Sequence, residues 1–405
     1  MPKKILPKNI LVYVQHLLGT GHLHRTALIT RALADSGFGV TVVSGGVAES
    51  IDFGTAAVIQ LPAIKTDSAF TDLFDECDNP ITDDFKRSRT DLLLQVLNDV
   101  MPDLVLIETY PFGRRQMRFE LLPLLQAIKQ PAIKQKKSAQ PIVACSIRDV
   151  IQPKSGQKRI QEILDLLERY FDYIFVHGDK SFIEFDRTFP AAGSFKDKLV
   201  YTGYVTKPLS GAINTGTINK AGNIKSILVS AGGGAVGQKL YQTVTSASKL
   251  APGQRYDWHI LVGNNLSEVD FREIQARQSD NLKIERNRND FIDLLCQCSV
   301  SVSQGGYNTM MDILVTHTPA VIIPFEGHSE QAPEQEQLIR ARVFEKNNMA
   351  KLLREKNLTA SALLTTIADC ENSDNPPLPP IKPQIDINGA SWMAAFVKNH
   401  ILRRY

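Results

Sequence analysis

The chain has no apolar run long enough to cross a bilayer, no paired-cysteine spacing and almost no excess of charge. Each absence removes a class of protein. Without about 18 consecutive apolar residues there is no membrane span to expect. Lys3, Lys4 and Lys8 precede only a short apolar stretch that starts at Ile10, so a secretory leader is not expected either. The five cysteines, Cys77, Cys145, Cys296, Cys298 and Cys370, are odd in number and lack metal-ligand spacing. That argues against a disulfide framework or a zinc site and fits a reducing, cytoplasmic compartment. A net charge of +3 over 405 residues is too small to call for nucleic acid.

What is present suits an ordinary globular chain: 43% hydrophobic and 22% charged residues, in a length that accommodates two to three domains. Cations concentrate at Arg114, Arg115, Arg118, Lys129, Lys134, Lys136 and Lys137, interleaved with Phe112, Phe119 and Leu121 to Leu125. Two readings are open for that segment, a solvated helix and loop or a peripheral contact with an anionic membrane surface.

Short apolar runs alternate with helical patterns. Ile10 to Val14, Val40 to Val43, Ala56 to Leu61, Leu104 to Glu108, Ile142 to Ser146 and Tyr173 to His177 read as strands. Helices are expected at 84–98, 115–129 and 157–170. After a polar, glycine-containing stretch the alternation restarts, with strands at Ile227 to Val229, His259 to Val262, Leu282 to Glu285, Cys298 to Val302 and Val321 to Ile323. This pattern predicts an α/β fold of two Rossmann-like domains facing across a cleft, with ligands at the carboxyl ends of parallel strands. The expected division is an N-terminal domain over 1–205, a linker over 206–223, a C-terminal domain over 224–373, and a proline-rich tether with a final helix over 374–405 that can cross back to the first domain.

Ser303-Gln304-Gly305-Gly306-Tyr307-Asn308-Thr309 reads as strand, glycine turn and helix start. Such a turn aims unpaired N–H groups outward and welcomes an anion, while Thr309 and Asp312 share one side of the helix. Gly232-Gly233-Gly234-Ala235-Val236-Gly237 satisfies GxGxxG but lacks an acid at the end of the next strand, so it is better read as a bare phosphate cradle than as a dinucleotide fingerprint. The polar run Glu285 to Asp290, which includes Arg288, could edge a base, and Glu336-Gln337 opens a helix. In the first half, Gly19-Thr20-Gly21-His22 places an imidazole at a helix N-terminus, which disfavours its cation and suits a general base. Glu108, ending its strand, is the candidate to orient that imidazole. Arg114 and Ser146-Ile147-Arg148-Asp149 lie at strand ends, either to hold an anionic acceptor or as structural ion pairs. Taken singly, each of these stretches also fits an ordinary turn or cap.

In order along the chain come Gly-x-Gly-His-x-x-Arg, Thr202-Gly203, the loop at 232–237, Gly-Gly-x-x-Thr-x-x-Asp, Pro319-x-x-x-x-Pro324 and Gln337-x-x-x-Ala341. Together they resemble the GT-B glycosyltransferases of family 28, whose members include the lipid II-forming N-acetylglucosaminyltransferase, and more closely a soluble bacterial branch. The resemblance implies inverting, metal-independent transfer from a nucleoside-diphosphate sugar, usually UDP-linked, to a small-molecule, lipid or glycan acceptor, with no cofactor. It places His22 in catalysis, with Glu108, from its strand-end position, as the group that orients it. It places Gly21, Gly232, Gly233, Gly234, Ala235, Val236, Arg288, Gly305, Gly306, Asn308, Thr309, Asp312, Glu336 and Gln337 around the donor. Arg114, Arg148 and Asp149 are left for the acceptor. Asp312 stands where the family usually has Glu. The Gly-x-Gly-His-x-x-Arg motif is closer to a nucleotide-sugar hydrolase, so water as acceptor stays open, as does a non-catalytic sugar-nucleotide-binding role.

Overall fold

The computed structural model describes residues 8–17, 21–66, 72–130, 139–152, 156–207, 225–232, 237–327, 336–371 and 385–402. The chain forms two compact units, Met1–Val205 with Asp386–Tyr405, and Thr206–Ile385. The loop residues Gly233 to Val236 lie outside the described residues, as do nearly all of the linker and tether stretches.

The first unit is built on a parallel sheet of β1 (Asn9–Val14), β2 (Gly39–Ser44), β3 (Ala57–Gln60), β6 (Leu104–Glu108), β7 (Ile142–Arg148), β8 (Tyr173–His177) and β9 (Leu199–Tyr201), in the order β3-β2-β1-β6-β7-β8-β9. Two short antiparallel strands, β4 (Lys65–Thr66) and β5 (Leu73–Phe74), form a separate pair. The central strands read as unbroken apolar runs because both faces are covered: β6 is buried along its whole length. Helix α1 (Gly21–Asp35) follows β1 and lies against it. Helix α2 (Asp83–Val100) starts at Thr82, whose hydroxyl accepts from Phe85 N–H, and Asp83 and Asp84 complement its dipole. Helices α3 (Arg118–Ile128) and α4 (Gln157–Tyr170) share a core with α2 on one face of the sheet, and α1 packs in the cluster on the other.

The segment read above as a possible membrane surface has its apolar side turned inward. Phe112, Leu121, Leu124 and Leu125 are buried, and Phe112 sits edge-on to Phe185 and Phe189 at 5.3 and 5.2 Å. Arg115 and Arg118 both pair with Glu162. These apolar residues are thus committed to the core, as a solvated helix requires, while Lys134, Lys136 and Lys137 lie outside the described residues. Among the described residues, no helix is long and apolar enough to cross a membrane.

The second unit repeats the scheme with β10 (Lys225–Ser230), β11 (Tyr256–Val262), β12 (Leu282–Arg286), β13 (Val300–Ser303), β14 (Ala320–Ile322) and β15 (Lys351–Leu352), all parallel in the order β12-β11-β10-β13-β14-β15. Its helices are α5 (Gln238–Lys249), α6 (Glu268–Gln275), α7 (Phe291–Gln297), α8 (Tyr307–Thr316), α9 (Glu336–Lys346) and α10 (Ala360–Glu371).

Helix α11 (Gly389–Phe396) belongs to the first unit and packs on α1. Met393 and Val397 are fully buried in one cluster with Leu23, Ala27 and Phe175. The returning chain is pinned at Thr202-Gly203: Tyr204 N–H donates to Asp386 O at 2.7 Å and Gly389 N–H to Tyr204 O at 2.9 Å. Gly203 has φ +83°, and a side chain there would collide with Asp386. Only glycine meets both demands. Truncating Met393 to Ala should leave a cavity under α11 and cost about 2–5 kcal/mol, read as a lowered denaturation midpoint of the whole chain.

Candidate functional site

In the first unit the chemistry gathers at the carboxyl edge of the sheet. Parallel register sets Glu108 beside Ser146, and Arg148 beside His177. Helix α1 brings His22 and Arg25 to the same place, three residues apart and therefore on one face. His22 Nδ1 lies 2.6 Å from Glu108 Oε1, and Arg25 Nη2 donates to that same oxygen at 2.5 Å. The carboxylate is the acceptor in this trio, so Nδ1 carries the imidazole proton and Nε2 carries the lone pair. Nε2 makes no hydrogen bond among the described residues, and the His22 side chain is 17% exposed, against 1% for Glu108.

Burial alone would raise the Glu108 carboxyl, yet His22, Arg25 and Arg114 overcome it and hold the group well below the usual carboxylate range. Burial is also the main reason the His22 imidazole is pushed down to about 4; Glu108 opposes, and the charges of Arg114 and Arg148 add to the effect. Desolvation is thus the main cause that keeps this histidine neutral.

Immediately after Glu108 the chain turns through Thr109 at φ +66°, a strained conformation for a β-branched residue. The turn carries Arg114, whose Nε donates to Gln15 O at 2.7 Å. Its burial lowers the guanidinium pKa, with Glu108 acting in the opposite direction. Asp149 is not available to an acceptor. It is fully buried, its Oδ1 accepts from Val150 N–H, and its Oδ2 accepts from Tyr204 O–H at 3.0 Å. Arg25 had no assigned role in the sequence, although the His-x-x-Arg spacing of one helical turn was its signal.

In the second unit, β13 ends at Ser303 and α8 opens after Gly305 and Gly306. A side chain on Gly305 would crowd the backbone of Gln337, so packing explains that glycine; one on Gly306 would meet open space. Gly232, at φ +75°, also faces open space. Helices α5 and α8 both have glycine as the N-cap residue, so the cap brings no acceptor to the first-turn N–H groups. Thr309 is buried and Asp312 half-buried, one turn apart on α8. The Asp312 carboxylate makes no hydrogen bond or ion pair among the described residues; burial pushes it up to about 7, with Lys207 acting weakly against.

Gln337 Oε1 accepts from Phe325 N–H at 3.0 Å, tying the loop after β14 to the start of α9. Glu336 is buried against Arg340, whose guanidinium also donates to Gly305 O at 3.3 Å. Arg288 is paired to both Glu285 and Asp290, at 3.1 and 2.6 Å, and is exposed. Its fork is therefore committed to carboxylates rather than held open for a base edge. Asn308 lies in the first turn of α8.

The glycosyltransferase family 28 C-terminal domain matches residues 227–386. A solved structure of Acinetobacter baumannii MurG overlays with a TM-score of 0.60 at 14% identity, covering 96% of this chain and 99% of that one. The chain has the GT-B fold. Two curated relatives carry glycosyltransferase names. A UDP-N-acetylglucosamine–N-acetylmuramyl-(pentapeptide) pyrophosphoryl-undecaprenol N-acetylglucosamine transferase of Thermosipho africanus is 26% identical over 44% of this chain and 47% of its own. An uncharacterized glycosyltransferase of Methanosarcina mazei is 24% identical over 59% of this chain and 58% of its own. The match thus spans about half the length of these curated relatives.

Asp312 carries a stability signature. An unfolded aspartate releases its proton near 3.8, whereas the folded residue keeps it up to about 7. Between those values the folded state binds more protons, so stability falls as pH rises through that window. Asp312→Asn should remove this dependence. Thermal denaturation of the ligand-free protein is expected to show wild type losing several degrees relative to the variant from mildly acidic to mildly alkaline pH.

Proposed function

We propose that the chain is an inverting glycosyltransferase that moves a sugar from a nucleoside-diphosphate sugar to an acceptor hydroxyl without a metal. The observation that carries this reading is the His22–Glu108 pair: a neutral imidazole, its Nδ1–H held by a buried carboxylate and its Nε2 without a hydrogen bond among the described residues. That is the state a general base needs. His22 Nε2 takes the proton of the acceptor hydroxyl as its oxygen bonds to the anomeric carbon. The bond from that carbon to the diphosphate breaks on the opposite face, and the nucleoside diphosphate leaves with the electron pair. One displacement of this kind inverts the configuration.

The second unit is assigned the donor. The glycine-capped starts of α5 and α8 face the leaving diphosphate, supplying the positive charge that a metal supplies elsewhere. Thr309, Asn308 and the 232–236 loop take phosphate oxygens. The Asp312 carboxylate accepts the two ribose hydroxyls, and Gln337 Nε2 is available to a sugar hydroxyl. The Thermosipho relative's name specifies a UDP-linked sugar, and UDP is the carrier assigned here. Arg114 and Arg148, whose charges bear on His22, support an acceptor that itself carries negative charge, whether a small molecule, a lipid or a glycan.

His22→Ala should lower kcat by about 10²–10⁴ while leaving UDP affinity unchanged, checked by steady-state kinetics and calorimetry. Because the imidazole sits at about 4 rather than 6.5, kcat/KM should stay level through pH 6.5 and fall only on approaching the lower value. Wild-type turnover that falls with an ordinary histidine profile would contradict the assignment. Stoichiometric release of free sugar and UDP without an acceptor would identify water as the natural acceptor.

A further inference from the structure

The geometry assigns Arg25 the part of counter-ion to Glu108, so that His22 meets that carboxylate as a neutral hydrogen-bond donor and not as its cation. The two contacts converge on one atom, Glu108 Oε1, at 2.5 Å from Arg25 Nη2 and 2.6 Å from His22 Nδ1. Arg25 and Glu108 are both nearly sealed from solvent, with side chains 2% and 1% exposed. The second carboxylate oxygen, Oε2, is buried without a hydrogen-bond partner among the described residues.

Charge counting supplies the reason. A buried carboxylate is stable only beside a compensating positive charge. Two groups in direct contact with it can supply one: the Arg25 guanidinium, or a protonated His22. With Arg25 in place, the trio is neutral when the imidazole is neutral, and a proton on His22 would leave it with an excess positive charge. The other groups around the trio reinforce this. Arg114 and Arg148 act on His22 as further positive charges, Arg114 also on Glu108, and the neighbouring Cys145 and His177 are buried and neutral. Remove the Arg25 charge and the balance reverses: a neutral imidazole would leave Glu108 uncompensated, and His22 gains a proton instead. Arg25 is thus a positioning residue, acting on the reacting hydroxyl only through the protonation state of His22.

The consequence for turnover rests on the glycosyltransferase reading; the protonation state does not, and the test separates them. Nitrogen-labelled histidine NMR on the full-length protein, with the signal assigned through His22→Asn, reports the charge on His22 directly. In the wild type, and in Arg25→Lys, which keeps the charge, His22 should remain neutral through pH 6.5. In Arg25→Met and Arg25→Gln it should be cationic at pH 6.5, and Glu108→Gln combined with Arg25→Gln should restore the neutral form. Arg25→Gln retains a donor for Glu108 Oε1, so a folded protein lacking only the charge is obtained even where Met packs poorly. A neutral His22 in the folded Gln variant overturns the proposal, because hydrogen bonding and not charge would then suffice. In parallel, kcat/KM of Arg25→Gln with nucleotide sugars should fall at least roughly fivefold between about pH 8 and pH 6, with the wild type level. The NMR pattern as stated, with no sugar chemistry in any variant, refutes the enzymatic reading and leaves the counter-ion intact. Turnover with the NMR pattern reversed does the opposite.

Discussion

A single carboxylate oxygen organises the first unit. Glu108 Oε1 receives both a guanidinium and an imidazole, out of contact with water. Ionised carboxylates in such a place are costly unless matched, and the match determines the protonation of everything around them. Strand β6 delivers the carboxylate at the sheet edge, and α1 delivers the two nitrogen bases from one helical face. The strained Thr109 turns the chain sharply enough for Arg114 to reach back to Gln15. The packing of α1 between sheet and α11 therefore matters to chemistry as well as to stability, since it holds the His22–Glu108 distance.

The second unit manages the opposite problem. Its helices α5 and α8 start at glycine caps that bring no side-chain acceptor to their first-turn N–H groups. Asp312 is left half-buried with no hydrogen-bond or ion-pair partner among the described residues. Arg340, by contrast, is sealed beneath the Gly305 turn and holds its carbonyl, so the turn is braced from below while Gly306 stays open above.

The parallel strands were legible because strands covered on both faces must be continuously apolar, and Leu104 to Glu108 or Tyr173 to His177 cannot easily be anything else. The helices α6, α7 and α10 were not assigned, being short, between 7 and 12 residues, with start signals that sit among other polar residues. Strands β4, β5 and β15 are two residues each, below any periodicity. His22 and Glu108 could be paired in principle because each ends or follows a strand. Arg25 could not be given a role, since its partner lies 83 positions away and only the sheet register brings them together. Asp149 was misread because a strand-end carboxylate looks the same in sequence whether it faces solvent or a buried tyrosine.

The first unit is discontinuous, with the stretch from Thr206 to Ile385 inserted before α11 is reached. During synthesis, the surface of α1 that will meet Met393 and Val397 emerges some hundreds of residues ahead of its cover. That apolar stripe must wait, exposed, while the whole second unit is made and folds. A nascent chain stalled before residue 386 would carry a finished second unit and an unfinished first, which makes this helix contact a natural place for a chaperone to engage and for quality control to recognise an incomplete product.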